Sequence, residues 1–99
     1  MAQVRWTLQA IDDLDAICLF IARDTPQVAA VFADRAFHAT DRLVDPPRMG
    51  RIVPELEIET IREIILGNDR IIYRIQENKV QVATIDHGAR LLHVGKMRL

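Results

Sequence analysis

The spacing of apolar positions changes period along this chain, and each change marks an element. Gln3 to Trp6 alternates and stops at Thr7, which predicts a short strand. From Leu8 the apolar residues recur every three or four positions: Ile11, Leu14, Cys18, Ile21 and Ala22. Asp12, Asp13 and Asp15 take the other side. The spacing predicts an amphipathic helix ending near Arg23 or Asp24, with Thr7 capping its first turn and acidic residues near its positive end. Thr25-Pro26 then opens a second helix, because proline's missing N–H costs nothing at the first helical position. Val28, Phe32, Arg35/Ala36, Ala39 and Leu43 mark its stripe, and the prolines and glycine of Asp45–Gly50 end it. So short a link between two helices predicts an antiparallel hairpin.

Beyond Gly50 the period falls to two. Arg51–Thr60 reads as an irregular or partly extended link, since Pro54 forbids a central strand. Thr60–Leu66, Arg70–Gln76 and Val80–Gly88 read as three strands, separated by the turn residues Gly67-Asn68-Asp69 and Glu77-Asn78 with Lys79. The fold class is α+β in the order β-α-α-β-β-β. A helical hairpin packs on one face of a small antiparallel sheet, and residues 1–99 form one domain. The tail Arg90–Leu99 is short and basic, and reads as a last strand or as chain without fixed structure.

Register decides which side chains share a face. With Asn78-Lys79 as a two-residue turn, Arg74 lies opposite Ala83, Ile72 opposite Ile85 and Arg70 opposite His87. With Gly67-Asn68-Asp69 as a three-residue loop, Arg62 lies opposite Arg74 and Ile64 opposite Ile72. Ile71, Tyr73, Ile75, Val80 and Val82 then face the helices. The other face carries Arg62, Arg70, Arg74 and His87, interleaved with Ile64, Ile72, Ala83 and Ile85. Two arginines directly opposite one another cost up to roughly 1 kcal/mol unless a counter-charge is near. Arginine also suits planar contact with carboxylate or phosphate. One reading of this face is a docking surface for an anionic or amphipathic partner. The other is a solvated face whose arginines pair with Glu55, Glu57, Glu59 or Asp86. A two-residue turn at Asn68-Asp69 would favour the latter by setting Glu63 against Arg74.

Composition trims the possibilities. With 13 Lys+Arg against 14 Asp+Glu, the chain is near neutral, unlike a protein built to grip nucleic acid over a broad basic surface. A single cysteine, Cys18, excludes a disulfide framework and any paired-cysteine metal site, and reads as a small core residue. No apolar run approaches the ~18 residues of a membrane span, and the first ten residues lack the shape of a signal peptide. A cytoplasmic setting follows. His38, His87 and His93 lack the spacing of a zinc site, and no glycine-rich loop suggests a phosphate cradle. No metal or other cofactor is expected.

Gly50-Arg51-Ile52-Val53-Pro54-Glu55, Ile61-Arg62-Glu63, Arg70-Ile71-Ile72-Tyr73-Arg74 and His87-Gly88-Ala89-Arg90, in this order and spacing, resemble the RelE/ParE toxin superfamily of type II toxin–antitoxin modules. The likeness covers nearly the whole chain and is closer to ParE-type "plasmid stabilisation" members. It implies a toxin that inhibits DNA gyrase by binding rather than catalysis. It also implies neutralisation by a cognate antitoxin in a hetero-oligomeric complex. The RelE-like alternative is a ribosome-dependent mRNA endoribonuclease, for which the resemblance offers Arg62, Arg70, Arg90 and His87 as catalytic. The tail lacks the tyrosine of RelE-like enzymes, and the near-zero charge departs from their basic character. A third alternative is a non-toxic member that only binds. The partner-binding set expected from register and resemblance together is Arg62, Ile64, Arg70, Ile72, Arg74, Ile85, His87 and Arg90.

Single residues carry two readings each. His87 is a general acid–base candidate because an imidazole titrates near neutral pH, or it ends the last strand and bonds locally. Tyr73 falls on the core face and reads as packing. Trp6 reads as packing against the helices, and His38 as a surface residue.

Overall fold

In a computed structural model of the chain, residues 2–87 are described. Strand β1 (Gln3–Trp6) leads into helices α1 (Leu8–Ala22) and α2 (Pro26–Asp41). Two 3-10 turns, Arg42–Val44 and Pro47–Met49, follow, with a cis Asp45-Pro46 bond between them. Strands β2 (Arg51–Ile52), β3 (Ile61–Leu66), β4 (Asp69–Gln76) and β5 (Lys79–His87) complete one sheet, ordered β1-β5-β4-β3-β2. The expected α+β plan and element order are present. The sheet is mixed rather than wholly antiparallel, because β1 runs parallel to β5. The helical hairpin carries the chain from β1 at one edge to β2 at the other, and the successive antiparallel pairings from β2 to β5 then bring β5 beside β1 in the same direction. No helix among the described residues is long and apolar enough to cross a membrane.

Thr7 caps α1 as expected: its hydroxyl accepts from the Ala10 N–H and donates to the Ala83 carbonyl, so one side chain also ties the helix start to β5. The buried stripe of α1 is Ala10, Leu14 and Ile17, with Ile21 packed beside it. Leu8 and Leu19 lie outside it, 83% and 70% exposed. The buried face of α2 runs through Ala29, Ala36 and Thr40, so Val28 of the expected stripe faces outward. These helices meet Ile71, Tyr73, Ile75, Val80, Val82 and Ile85 of the sheet. Trp6 stacks at a tilt on Phe37, with 4.9 Å between ring centroids. A second, smaller core lies on the opposite side of the sheet, where Val53 and Leu56 of the link cover Ile61 and Ile72.

Both hairpins close one residue earlier than expected. The β3–β4 turn is Gly67-Asn68, pairing Leu66 with Asp69, Ile64 with Ile71 and Arg62 with Tyr73. Gly67 takes φ +62°, a left-handed conformation that glycine adopts without strain. The β4–β5 turn is Glu77-Asn78, pairing Ile75 with Val80 and Tyr73 with Val82. A bulge between Ile72 and Tyr73 then sets Ile71 opposite Ile85 and Asp69 opposite His87. The expected register would have set Ile71 against Asp86. The observed one faces apolar residue to apolar residue on the helix side, and burial of that face selects it.

The residues expected to share the arginine face therefore separate. Arg62, Ile64, Ile85 and His87 lie on the helix side, and His87 reaches the ring of Phe20 on α1 at 6.1 Å. Arg70, Ile72 and Arg74 remain on the far side, where Ile72 is fully buried beneath the link. Arg62 does not oppose Arg74; Ile61 does.

Candidate functional site

Three features of the surface bear on function: an ion-paired arginine network, a row of open cations and an apolar groove. The network centres on Glu63, whose side chain is wholly buried on the far face of β3. Arg51 of β2 donates to one of its oxygens and Arg70 of β4 to the other, the latter at 2.7 Å. Arg70 also forms a bidentate pair with Glu55 of the link, at 2.6 and 2.7 Å. Two carboxylates hold this guanidinium and push its pKa upward despite burial, so it is a fixed cation. The four side chains clamp the link onto the sheet and close the smaller core beneath it.

On the helix side Arg62 is equally engaged. It donates to the carbonyls of Arg48, Gly50 and Glu59, and to the Glu59 carboxylate at 3.0 Å. Arg48 pairs with the same carboxylate at 2.7 Å. Hydrogen bonds from Arg48 and Arg62 hold the Glu59 carboxyl down to about 2. Tyr73 finishes this corner. Its hydroxyl accepts from the Gly50 N–H at 2.9 Å and donates to the Pro47 carbonyl at 2.6 Å. Burial raises its pKa, so the phenol stays protonated. Gly50 must be glycine here, because a Cβ would lie 2.5 Å from the Glu63 carbonyl and 2.7 Å from the Tyr73 hydroxyl. The packing role expected of Tyr73 is present, with a loop-pinning role added. His87 pairs with Asp69 across the strand ends.

The four candidate nuclease residues are thus not one constellation. Arg62 and His87 lie on the helix side of the sheet, Arg70 lies on the far side, and Arg90 is outside the described residues. Within the described residues, the expectation of arginines converging as free charge is replaced by arginines paired with Glu55, Glu59 and Glu63. Their part in partner binding then rests on whatever they hold in place, except for Arg74.

Arg74 belongs instead to a row that the sequence reading missed. Arg5 of β1, Gln81 of β5 and Arg74 of β4 are consecutive cross-strand neighbours on the far face. Lys79 lies two residues from Gln81 on the same side. At ~4.8 Å per strand, the two arginine backbones are ~10 Å apart. Among the described residues no ion pair engages Arg5, Arg74 or Lys79. Only the parallel pairing of β1 with β5, which composition does not reveal, brings residues 5 and 74 together.

The third feature lies on the outer side of the hairpin. A groove of about 650 Å³ runs between α1 and α2, lined by Ile11, Cys18, Leu19 and Ala22 from one helix and Ala29, Ala30, Ala33 and Phe37 from the other. Cys18, expected in the core, is half-buried in this wall, and both burial and the neighbouring Asp15 raise its pKa. It is therefore held as the thiol.

Comparison with known proteins agrees with this architecture. The chain is 37% identical over 92 residues to "Toxin RelE2" of Caulobacter vibrioides, covering 92% of this chain and all of that protein. It is 36% identical over 87 residues to "Putative toxin Y4kP" of Sinorhizobium fredii, covering 86% of each. Among solved structures it resembles a chain of the chromosomal ParDE toxin–antitoxin system from P. aeruginosa, with TM-score 0.73, 23% identity, and coverage of 90% of this chain and 98% of that one. It also resembles a chain of the RelBE2 toxin–antitoxin complex from Mycobacterium tuberculosis, with TM-score 0.55, 26% identity, and coverage of 87% and 96%. The family model described as "ParE toxin of type II toxin-antitoxin system, parDE" matches residues 4–92. With nine-tenths of its length inside that model, and the helical hairpin on its five-stranded sheet, the chain belongs to the ParE toxin family within the RelE/ParE superfamily.

Proposed function

We propose that this protein is the toxin of a type II toxin–antitoxin module that inhibits DNA gyrase by binding, and that a cognate antitoxin neutralises it. The observation carrying the choice of binding over catalysis is the dispersal of the nuclease candidates. General acid–base cleavage of RNA needs a proton-transfer group and a phosphate-holding cation converging on one reacting phosphate. Here Arg62 and Arg70 lie on opposite sides of a sheet, each saturated by acceptors of its own chain. The family match supports the toxin role, and the solved relatives, both from toxin–antitoxin systems, support an antitoxin partner. Gyrase enters through the likeness to ParE-type members. The open row of Arg5, Arg74 and Lys79 supplies the positive surface for a target.

The RelE-like reading, a ribosome-dependent endoribonuclease, is favoured by one observation, the 37% identity to a protein named RelE2. One experiment separates the two. Purified toxin is added to a gyrase supercoiling reaction, and mRNA ends are mapped in cells after induction without antitoxin. Inhibited supercoiling with intact mRNA supports the proposal. Codon-linked cuts with unaffected supercoiling overturn it in favour of the nuclease. No growth arrest on induction would leave a binding-only member.

A further inference from the structure

We propose that the open half of the sheet's far face holds the phosphate backbone of duplex DNA; this deepens the gyrase reading, and the choice of DNA over other polyanions rests on it. The link between β2 and β3 covers the far face over Ile61 and Ile72. Beyond that cover, on β4, β5 and β1, the register lays out a grid of two rows. Gln3, Lys79 and Gln76 form one row, and Arg5, Gln81 and Arg74 form the other. Arg74 is half-buried and the other five are exposed. With strands ~4.8 Å apart and rows two residues apart, the grid measures roughly 10 by 7 Å at the backbone.

The make-up of the grid selects its ligand. All six side chains carry N–H donors, and none is acidic or apolar. A protein interface is held by apolar or aromatic anchors at its centre, which this patch lacks. A phosphodiester backbone needs no such anchor, because its oxygens accept hydrogen bonds from arginine, lysine and glutamine alike. The grid has no aromatic ring to stack on a base, and the helices lie on the other side of the sheet, so none enters a groove from here. Contact is therefore with the backbone and independent of base sequence.

The net charge of −1 sets the reach of this site rather than removing it. At ~10 Å, the screening length in 0.1 M salt is as long as the grid is wide, so a seated phosphate feels the three cations before more distant carboxylates. Two carboxylates border the patch. Glu77 follows Gln76 in the β4–β5 turn, and Asp12 lines a depression with Gln81 and Ala83 at the start of α1. They confine the footprint to a short stretch of backbone. In the gyrase reading the toxin thus touches the DNA held by the enzyme as well as the enzyme.

The test measures fluorescence anisotropy of a labelled mixed-sequence duplex of about 30 bp with the full chain, from about 50 to 200 mM salt. Three phosphate contacts give a slope of about −2.7 in log affinity against log salt, a loss of roughly 40-fold over that range. The combined variant Arg5→Gln/Arg74→Gln/Lys79→Gln should bring the slope near zero, and each single substitution should lower it by about one. The charge-matched control Arg23→Gln/Arg35→Gln/Arg42→Gln, at exposed positions on the helical side, should keep it, and thermal melts confirm that all variants are folded. A scrambled duplex should bind equally. No binding by the parent at about 50 mM salt, or an unchanged slope in the folded grid variants, overturns the inference. Tighter binding of single-stranded RNA overturns the DNA assignment, and polyglutamate that displaces the duplex as well as unlabelled DNA of equal charge overturns the phosphate assignment. In a supercoiling reaction the combined variant should need at least about tenfold more protein for half-inhibition than the parent. Equal inhibition by both sinks the DNA contact and leaves the gyrase reading standing. A parent that leaves supercoiling untouched removes that reading, while anisotropy still judges the face.

Discussion

Arg70 offers the sharpest contrast between a structural and a catalytic reading. Replacing it with methionine keeps the stem and removes the guanidinium. Glu63, wholly buried, would then retain only Arg51, whose side chain is 62% exposed and better solvated. Breaking a buried pair from one side costs about 3–5 kcal/mol, since the orphaned charge stays buried. The remaining Arg51 contact and the surviving solvation of Glu55 place the expected loss at about 3 kcal/mol, the low end of that range. For a domain of this size each kcal/mol moves Tm by about 4–8 °C, so the drop is roughly 12–24 °C. Calorimetry or a circular-dichroism melt reads it directly. The double variant Arg70→Met/Glu63→Met removes both charges and should recover part of the loss, with a coupling of about 2 kcal/mol in the mutant cycle. Growth inhibition by Arg70→Met should fall in step with its folded fraction. If Arg70→Met melts within about 2 °C of the parent and yet abolishes toxicity, the clamp is dispensable and Arg70 acts on a target instead.

Further predictions concern other parts of the same framework. Tyr73→Phe leaves the Gly50 N–H and the Pro47 carbonyl without their hydroxyl partner and should cost about 1–3 kcal/mol by chemical denaturation, with the native sheet signal retained below the midpoint. Gly50→Ala should destabilise the fold, because its Cβ meets backbone and ring atoms; an unchanged melt would mean that the corner gives way freely. Glu59 has its folded pKa depressed from 4.5 to about 2, so its contribution to stability is complete above pH 4.5 and lost as pH falls toward 2. The gap in Tm between the parent and Glu59→Gln should therefore close over that window, and a gap that widens on acidification would contradict the assignment. Asp13→Ala removes the carboxylate that accepts from the Thr84 hydroxyl and the Ile85 N–H beside the β5 bulge, and should speed amide exchange at Ile85 at least tenfold.

The sequence by itself determined the elements and their order. Thr7 and Thr25-Pro26 start the helices, the prolines after Asp45 stop the second, and alternation beyond Thr60 gives three strands. These signals are local, set by capping, proline geometry and the period of side-chain direction, so they are written in consecutive residues. The family likeness was also legible, since short motifs in order survive without coordinates. What only the tertiary structure decided was which polar residues meet. The β3–β4 hairpin closed one residue early, which with a repeat of two exchanged the face of Arg62, and the bulge between Ile72 and Tyr73 did the same for His87. The choice was made by apolar contacts between Ile71 and Ile85, Tyr73 and Val82, and Ile75 and Val80, whose burial outweighs the preference of any turn residue. Glu63 gained its two arginines and Arg5 its place beside Arg74 as consequences of that packing, through contacts between residues far apart in the chain.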